Sequence, residues 1–297
     1  MLEMNSHMVR ELKIPLHITG FWIPHYTSDP ITTGSLGVGL TLEPVVTSKN
    51  FSEKTLKLNL VEVGQDLKQV MESLAGVKDL GAFVASPVGL GQGLGLSAAL
   101  SITLATSALI KRAIPITLKK VGVLAHMAEV TLRTGLGDVI AELIGGGLVI
   151  RLKPGPPGVG EVDVVPVKEN VAVCVGLVRK GLTTPEMLKL YAGKIRKYGL
   201  ESYLKFLRNP SLDTFIEQAH EFSVKTGMLE NTLKDKVDDS LRTLLSKGAV
   251  LGYFVKKGTI AVLTQANYIN ETYEVLKKIS EPLGVFKICR HGTLFSS

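Results

Sequence analysis

The sequence predicts a protein of the α+β class with two domains, and three observations support this prediction. The chain has 297 residues, which is enough for two domains that each bury a substantial core. In its first half, a glycine-rich stretch leads directly into a long apolar helix pattern. In its second half, the pattern predicts a strand, three helices, two strands, a helix and a last strand.

The composition is that of an ordinary soluble globular protein, with 45% hydrophobic and 21% charged residues. Cys174 and Cys289 are far apart, which indicates reduced thiols in a cytoplasmic protein and shows no metal-ligand spacing. We recognise no signal peptide. Residues 1–7 precede a second methionine, Met8, and are interpreted as a leader that takes no part in the fold.

The formal net charge of +7 raises the question of nucleic-acid binding. The basic residues are spread along the chain in short groups, at residues 119–120, 179–180, 194–197, 256–257 and 277–278. Aromatic residues make up only 6% of the chain, and they form no motif for stacking on bases. We therefore predict a solvated basic surface and no nucleic-acid partner.

The chain begins with a predicted strand, a long loop and a second strand within residues 13–47, which are rich in Gly, Pro and Thr. Residues 55–63 alternate like a half-buried strand, and residues 65–75 have a helical apolar period. Residues 82–85 form a short predicted strand that leads into the glycine-rich stretch.

Four glycines occupy alternate positions from Gly89 to Gly95, and a helix pattern begins at Ser97. Glycine lets the backbone approach a ligand closely, and the free N–H groups at a helix start attract anions, so we predict a phosphate cradle. A Walker A loop is excluded because no lysine lies between residues 78 and 111. A dinucleotide fingerprint fits residues 93–98 but lacks the acidic residue expected about 20 positions later. The apolar run after the glycines is shorter than the roughly 18 residues of a membrane span, so we predict a buried helix and no membrane partner.

Pro87 and residues 93–99 resemble the phosphate loop of the GHMP kinases, a superfamily that includes galactokinase, homoserine kinase and mevalonate kinase. Gln92 and Leu96, the latter in place of the usual serine, resemble one family within it, the archaeal pantoate kinases. Residues 15–22 and 29–39 resemble the same family, including a histidine, His17, where distant members carry a basic motif. Considered alone, His17 reads as a strand histidine with satisfied hydrogen bonds.

Pro115 ends the apolar helix, and Thr117 is a predicted cap for the next helix. His126 and Glu129 share one face of that helix, and a glycine-flanked turn at residues 134–138 presents Asp138. Taken separately, Glu129 reads as a surface residue and Asp138 as a helix cap. Together with residues 145–147 and Arg151, however, this region is similar to the pantoate kinase pattern.

The resemblance implies a kinase that uses ATP and Mg²⁺ to phosphorylate pantoate on the route to coenzyme A. The implied ATP-binding residues are Gln92, Gly93, Leu94, Gly95, Leu96, Ser97 and Ala98. The implied Mg²⁺ ligands are Ser97 and Glu129, which form the implied catalytic set with Asp138 as base or hydroxyl positioner. The implied pantoate-binding residues are His17, Ser35, His126, Arg151 and Thr184.

Residues 153–160 read as a proline–glycine linker, and we place the domain boundary near residue 165, giving domains 9–165 and 166–297. The later elements are predicted at residues 171–178, 185–198, 212–226, 229–246, 249–255, 259–264, 269–279 and 285–289. Their order resembles the split β-α-β, ferredoxin-like plan of the second half of GHMP kinases. The third glycine-rich motif of that superfamily would fall at residues 246–252, where it is degenerate.

Two other functions stay open at this point. One is a GHMP-type kinase for another small alcohol such as homoserine or mevalonate, and the other is a nucleotide-binding regulator without turnover. A homodimer is kept open as the assembly state.

Overall fold

The computed structural model describes residues 9–167, 170–179 and 184–297, without the side chains of residues 184, 185 and 187–189. The elements of the first half are β1 Glu11–His25, β2 Gly34–Lys49, β3 Leu56–Leu58, β4 Val61–Glu62, α1 Gln65–Ala75, β5 Ala82–Ala85, α2 Leu96–Lys111, α3 Leu118–Leu132, α4 Asp138–Ile144, β6 Leu148–Lys153 and β7 Glu161–Val165. The elements of the second half are β8 Val171–Leu177, α5 Thr184–Arg208, α6 Leu212–Thr226, α7 Asn231–Ser246, β9 Val250–Lys256, β10 Thr259–Gln265, α8 Ile269–Ile279, β11 Glu281–Ile288 and β12 Leu294–Ser296.

The strands join into one sheet with the order β4-β3-β5-β2-β11-β8-β10-β9, and β1 and β6 each pair with β2 away from this path. Strand β2 is therefore the centre of the molecule, because it contacts β1, β5, β6 and β11. The pairing of β11 with β2 joins the strands of the second half to those of the first. The mixed α+β class is confirmed, and so is the expected succession of elements in the second half, except that α5 extends to Arg208 and β12 follows the predicted last strand.

Helix α2 is buried on nearly all sides, and its Ala, Leu, Ile, Ser and Thr side chains pack inside the first half. A helix that is apolar all round belongs in a core or in a membrane. Among the described helices, none combines the length and apolar character that crossing a bilayer requires. The expectation of a buried helix is thus confirmed for α2, and the Thr117 side chain caps α3 at the N–H of Lys120, as predicted.

Two segments differ from their predicted form. Residues 55–63 form the short strands β3 and β4 instead of one strand, because Asn59 and Leu60 adopt positive φ angles of 48° and 73° and reverse the chain. The segment at residues 153–160 connects β6 to β7 as a hairpin, so it lies within the first half and does not link two domains. The boundary near residue 165 itself stays a prediction.

Candidate functional site

The glycine-rich loop has the backbone form that a phosphate cradle needs. Gly91, Gly93 and Gly95 adopt left-handed φ angles of 82°, 71° and 81°, which side-chain-bearing residues rarely adopt. Gly95 is the N-cap of α2, so the first N–H groups of this 16-residue helix face the loop. The loop and Ser97 line a pocket that also includes Leu132 and Asp138. We call it the loop pocket.

Hydrogen bonds hold the loop between two strands. The backbone N–H of His17 in β1 donates to the Leu94 carbonyl over 3.1 Å. From the other side, the Thr259 hydroxyl of β10 donates to the Gln92 carbonyl over 2.7 Å. Within the loop, the Gln92 side-chain oxygen accepts from the N–H of Gly89. These contacts fix the direction in which the loop presents its backbone.

Ser97 and Glu129 meet at the base of the loop. The Ser97 hydroxyl donates to Glu129 Oε1 over 2.5 Å, and the Thr134 hydroxyl donates to the same oxygen over 2.6 Å. Glu129 is only 2% exposed, so its interpretation as a surface residue is wrong. Burial raises the pKa of its carboxyl group, although the two hydroxyl donors oppose this shift. A hydroxyl and a carboxylate oxygen suit a hard cation such as Mg²⁺, which would favour the charged carboxylate.

Asp138 begins α4, but it does not cap it. The N-cap is Gly137, and no side chain caps the helix, so the interpretation of Asp138 as a helix cap is wrong. Instead, Asp138 Oδ1 lies 2.7 Å from His17 Nδ1 and accepts from the Thr19 hydroxyl over 3.5 Å. Burial favours the protonated carboxyl, but nearby positive groups, above all Lys256, hold the pKa of Asp138 well below its usual value. Asp138 is therefore an ionised carboxylate at neutral pH.

A second pocket adjoins the first, and we call it the acceptor pocket. Its lining residues are Thr19, Trp22, Ser35, residues 134–138, Arg151, Lys256 and Lys257. Arg151 is buried, and its Nε and Nη1 have no hydrogen-bond partner in the described part of the chain. Tyr203 donates to the Arg151 carbonyl over 2.9 Å and so supports its strand position. A Cβ at Gly137 would lie 2.7 Å from both Arg151 Nε and Ser35 Oγ, which shows how closely the turn covers these groups.

Lys256 and Lys257 are site residues that the sequence prediction missed. They stand at the tip of the β9–β10 hairpin, where Lys257 and Gly258 adopt positive φ angles of 54° and 87°. Lys256 is only 6% exposed, so its assignment to a solvated basic surface is wrong. A Cβ built at Gly93 would lie 3.5 Å from the Lys256 carbonyl oxygen, so the hairpin tip packs against the glycine-rich loop. Burial lowers the pKa of Lys257 to about 8. Burial also lowers the pKa of Lys256, although the negative charge of Asp138 opposes this shift.

The structure also places Glu142 beneath the loop, which the sequence prediction did not include. Glu142 is completely buried, and neither of its carboxylate oxygens has a hydrogen-bond partner among the described residues. A Cβ at Gly95 would overlap its Oε1. Burial, together with the charges of Asp138 and Glu129, raises the pKa of Glu142 well above its usual value. Glu142 therefore favours the neutral, protonated form. Its side chain occupies space that a Cβ at position 95 would fill.

The remaining predicted residues lie at varied distances from the pockets. Ser35 lines the acceptor pocket, whereas His17 reaches it only through Asp138. The His126 ring bonds through Nε2 to the carbonyls of Pro30 and Thr33, so it supports the β1–β2 connection and is absent from both linings. Thr184 begins α5, and its side chain lies outside the described part of the structure. The degenerate motif at residues 246–252 spans the turn between α7 and β9 and lines neither pocket.

The two pockets share a wall made of Thr134, Asp138, Lys256 and Lys257. On one side of this wall lies a backbone cradle at a helix start, and on the other a buried guanidinium with unpaired nitrogens. The first suits phosphates and the second suits a carboxylate. The arrangement can hold a phosphate donor and an acidic acceptor next to each other.

Three curated proteins with similar sequences are each named pantoate kinase. The protein from Methanocaldococcus jannaschii is 26% identical over 270 residues, which cover 89% of this chain and 96% of the relative. The protein from Thermococcus kodakarensis is 28% identical over 292 residues, which cover 93% of this chain and 94% of the relative. The protein from Methanospirillum hungatei is 31% identical over 157 residues, or 48% of this chain and 53% of the relative. No protein-family model matches the chain.

Solved structures resemble the whole chain. A phosphotransferase related to the coenzyme A biosynthesis pathway has a TM-score of 0.80 at 24% identity and covers 97% of this chain and 99% of its own. The complex of MDDEF with MVAPP, AMPPCP and magnesium has a TM-score of 0.69 at 13% identity, with 98% and 99% covered. Mevalonate-3-kinase from Thermoplasma acidophilum has a TM-score of 0.66 at 11% identity, again with 98% and 99% covered. The fold is that of the GHMP kinases, and the predicted resemblance to pantoate kinases is confirmed.

Proposed function

We propose that this chain, which has the GHMP kinase fold and resembles pantoate kinases along most of its length, transfers a phosphoryl group from ATP to the primary hydroxyl of pantoate. The product would be 4-phosphopantoate, an intermediate on the route to coenzyme A. The names of the three relatives support both the kinase reaction and this acceptor. The coenzyme A connection of the similar phosphotransferase structure agrees with the same assignment.

The shared wall between the two pockets is the observation that carries this proposal. Phosphoryl transfer asks the protein mainly to position donor and acceptor and to stabilise the charge of the transferred group. Lys256 and Lys257 stand on this wall, so their positive charges face the region through which the phosphoryl group would pass. Preorganised charges in a buried site stabilise developing negative charge more than charges in water do.

We assign the donor phosphates to the glycine-rich loop and the first turn of α2. Ser97 and Glu129 would hold Mg²⁺, which supplies charge neutralisation to the phosphates when bound. A structure of similar fold contains AMPPCP and magnesium, which agrees with ATP and Mg²⁺ as the donor pair. Thr134 orients the Glu129 carboxylate through its hydroxyl, so it positions a metal ligand.

Asp138 is assigned to the acceptor hydroxyl. In the reaction, the bond between the γ-phosphorus and the bridging oxygen of ATP breaks, and ADP leaves. A new bond forms between the pantoate hydroxyl oxygen and the γ-phosphorus. The hydroxyl proton moves to Asp138 and then to solvent. Because the pKa of Asp138 is well below its usual value, this carboxylate is a weak base, and its main task is to orient the hydroxyl. A loose transition state needs little proton transfer before the new bond forms.

Arg151 and Ser35 are assigned to the carboxylate of pantoate. The guanidinium is buried, and two of its nitrogens lack partners among the described residues, which is costly unless a ligand satisfies them. A carboxylate can accept in bidentate geometry from Nε with Nη2 or from Nη1 with Nη2, so it would satisfy one of the two unpaired nitrogens. This arrangement favours a hydroxy acid as acceptor over an uncharged alcohol. Three residue assignments to pantoate stay predictions, those of His17, His126 and Thr184. A cytoplasmic location, a homodimer and the absence of a nucleic-acid partner also stay predictions.

The test is an ADP-release assay with ATP, Mg²⁺ and pantoate, homoserine, mevalonate or no acceptor, with the phosphorylated product identified by mass spectrometry. We expect one equivalent of 4-phosphopantoate per ADP and little turnover with the other acceptors. Faster turnover with homoserine or mevalonate would favour another GHMP-type kinase. Tight ATP binding without turnover on any acceptor would favour a regulator.

A further inference from the structure

We propose that Glu43, Cys289 and His291 bind a borderline-soft divalent cation such as Zn²⁺ where β2 meets the end of β11. One ligand atom from each residue lies within 4.8 Å of the other two. None of the three residues lines the loop pocket or the acceptor pocket. This inference therefore does not depend on the proposed kinase reaction.

Strand pairing brings the three side chains together. Glu43 of β2 pairs in register with Lys287 of β11, and the N–H of Cys289 donates to the Thr41 carbonyl over 2.8 Å. Side chains two positions apart lie on the same face of a sheet, so Cys289 lies on the same face as Lys287, diagonal to Glu43. His291 follows two residues later, where the chain leaves the sheet.

The hydrogen bonds around the cluster leave the ligand atoms available. His291 Nδ1 lies 2.7 Å from the Gly292 carbonyl oxygen, which can only accept, so Nδ1 carries the proton and Nε2 keeps its lone pair. A metal-binding histidine typically donates its other ring N–H to a carbonyl or carboxylate in this way. The Cys289 sulfur makes a weak 3.4 Å contact with the His291 carbonyl and a further contact with the Arg290 backbone. Within the described residues, the Glu43 carboxylate has no hydrogen-bond or ion-pair partner.

A divalent cation would resolve the electrostatic conflict in this cluster. Burial of Cys289 and the nearby Glu43 carboxylate both disfavour the thiolate, so the thiol is protonated without a cation. On binding, the thiol releases its proton to solvent, and one thiolate and one carboxylate balance a charge of +2. Sulfur, nitrogen and carboxylate oxygen form a ligand set that Zn²⁺ accepts in tetrahedral geometry, with water as the fourth ligand. Ligand atoms in such a site lie roughly 3.3–3.8 Å apart, so small side-chain rotations complete it.

The position of the cluster gives the cation a structural task. Only two residue pairs, Lys287 with Glu43 and Ile288 with Leu42, join β11 to β2 in register. This short pairing and that of β12 with β1 connect the strands of the two halves of the chain. A cation held by Glu43 on β2 and by Cys289 and His291 after β11 would cross-link this junction and stabilise the folded chain by mass action.

The experiment measures Zn²⁺ binding to the full chain after treatment with a chelator. Excess Mg²⁺ is present to occupy the Ser97–Glu129 region, so that Zn²⁺ binding there is not counted. We expect one equivalent of Zn²⁺ by calorimetry and metal analysis, and a melting temperature that rises with Zn²⁺ concentration. Cys289→Ser and Glu43→Gln should each weaken binding at least tenfold. Cys174→Ser is the matched control, because Cys174 is also buried but belongs to no described metal cluster, and it should bind like the parent.

A second measurement keeps the proposal testable if Cys289→Ser fails to fold. Co²⁺ bound to the parent chain should show a thiolate charge-transfer band, and this band should persist in Cys174→Ser. Glu43→Gln removes a half-exposed charge and should fold while losing affinity. Absence of the band in the parent, or equal Zn²⁺ binding by the parent and Glu43→Gln, would overturn the proposal.

Discussion

His17 Nδ1 lies 2.7 Å from Asp138 Oδ1, although 121 positions separate the two residues in the chain. This contact joins β1 to the first residue of α4 and thereby fixes the carboxylate in the wall between the pockets. His17 is completely buried, and burial lowers its pKa to about 4 even though Asp138 opposes this shift. The imidazole is therefore neutral at pH 7 and acts as a hydrogen-bonding support for Asp138.

The stability of the chain should fall on mild acidification because of His17. Its folded-state pKa of about 4 is below the ordinary 6.5, so the unfolded chain binds more protons between these values. The contribution is complete above about pH 6.5 and is lost toward pH 4, with a size on the order of 3 kcal/mol. The pKa of Asp138 is also lowered, but its contribution to stability is lost only below its ordinary pKa of 3.8.

Urea unfolding at pH 7, 5.5 and 4.5 tests this expectation against His17→Asn. The substitution removes the titrating group and keeps a hydrogen-bonding side chain, so the variant should lose less stability between pH 7 and 4.5. Glu129 and Glu142 titrate in the opposite sense, but they are common to both proteins and cancel in the difference. Parallel pH profiles would contradict the assignment.

Asp138→Asn should lower turnover about 10²-fold, the lower end of the range for a lost general base, because orienting the hydroxyl is the main task of this weakly basic carboxylate. ATP affinity should change little, since the loop contacts are unaffected. Steady-state kinetics with pantoate and calorimetry with ATP measure the two effects separately. A lower melting temperature with unchanged turnover per folded molecule would assign Asp138 a structural role only.

Arg151→Lys should mainly raise the KM for pantoate and leave the ATP affinity near that of the parent. Lysine keeps the charge but lacks the planar fork that pairs with a carboxylate. Kinetics at saturating ATP with varied pantoate measure this change. An equal loss of affinity for ATP and pantoate would contradict the assignment of Arg151 to the pantoate carboxylate.

Lys256→Met should reduce kcat about 10²- to 10³-fold, the range observed when one preorganised group at the reacting centre is removed. Methionine preserves much of the side-chain volume in a buried position. Lys278→Met on the exposed face of α8 is the matched control for a lost positive charge, and it should keep parent activity. Single-turnover rates at saturating substrates distinguish the two. Similar rates for both variants would remove Lys256 from the mechanism.

Gly95→Ala should weaken ATP binding and destabilise the chain more than Gly91→Ala. Both glycines have φ near 80°, so the backbone strain of about 1–2 kcal/mol is common to the two variants. Only at Gly95 would the new Cβ overlap Glu142 Oε1, whereas nothing lies within 4 Å of a Cβ at Gly91. Melting temperatures and ATP calorimetry compare them. Equal losses in both variants would show that Glu142 moves aside freely.

Local patterns in the sequence were sufficient for the glycine-rich loop, the buried helix after it and helices α1, α6 and α8. Such features depend on residues close together in the chain, through helical periodicity, capping and the backbone freedom of glycine. The resemblance to the pantoate kinases, and not local periodicity, grouped Ser97, Glu129 and Asp138. The same resemblance predicted Arg151 as a pantoate-binding residue.

Tertiary structure alone decided which groups from distant parts of the chain lie next to the glycine-rich loop and its neighbouring residues. Lys256 looked like a solvated charge because a short basic pair has no signature of burial, and only the β9–β10 hairpin carries it to the loop. Glu129 and Asp138 taken singly read as a surface residue and a helix cap, since exposure and side-chain direction depend on what packs against a helix. Glu43 and Cys289 are also far apart in sequence, and the pairing of β2 with β11 makes them neighbours. Sheet pairing between remote segments leaves no local pattern, so the sequence determined the parts of this site and the fold determined their partners.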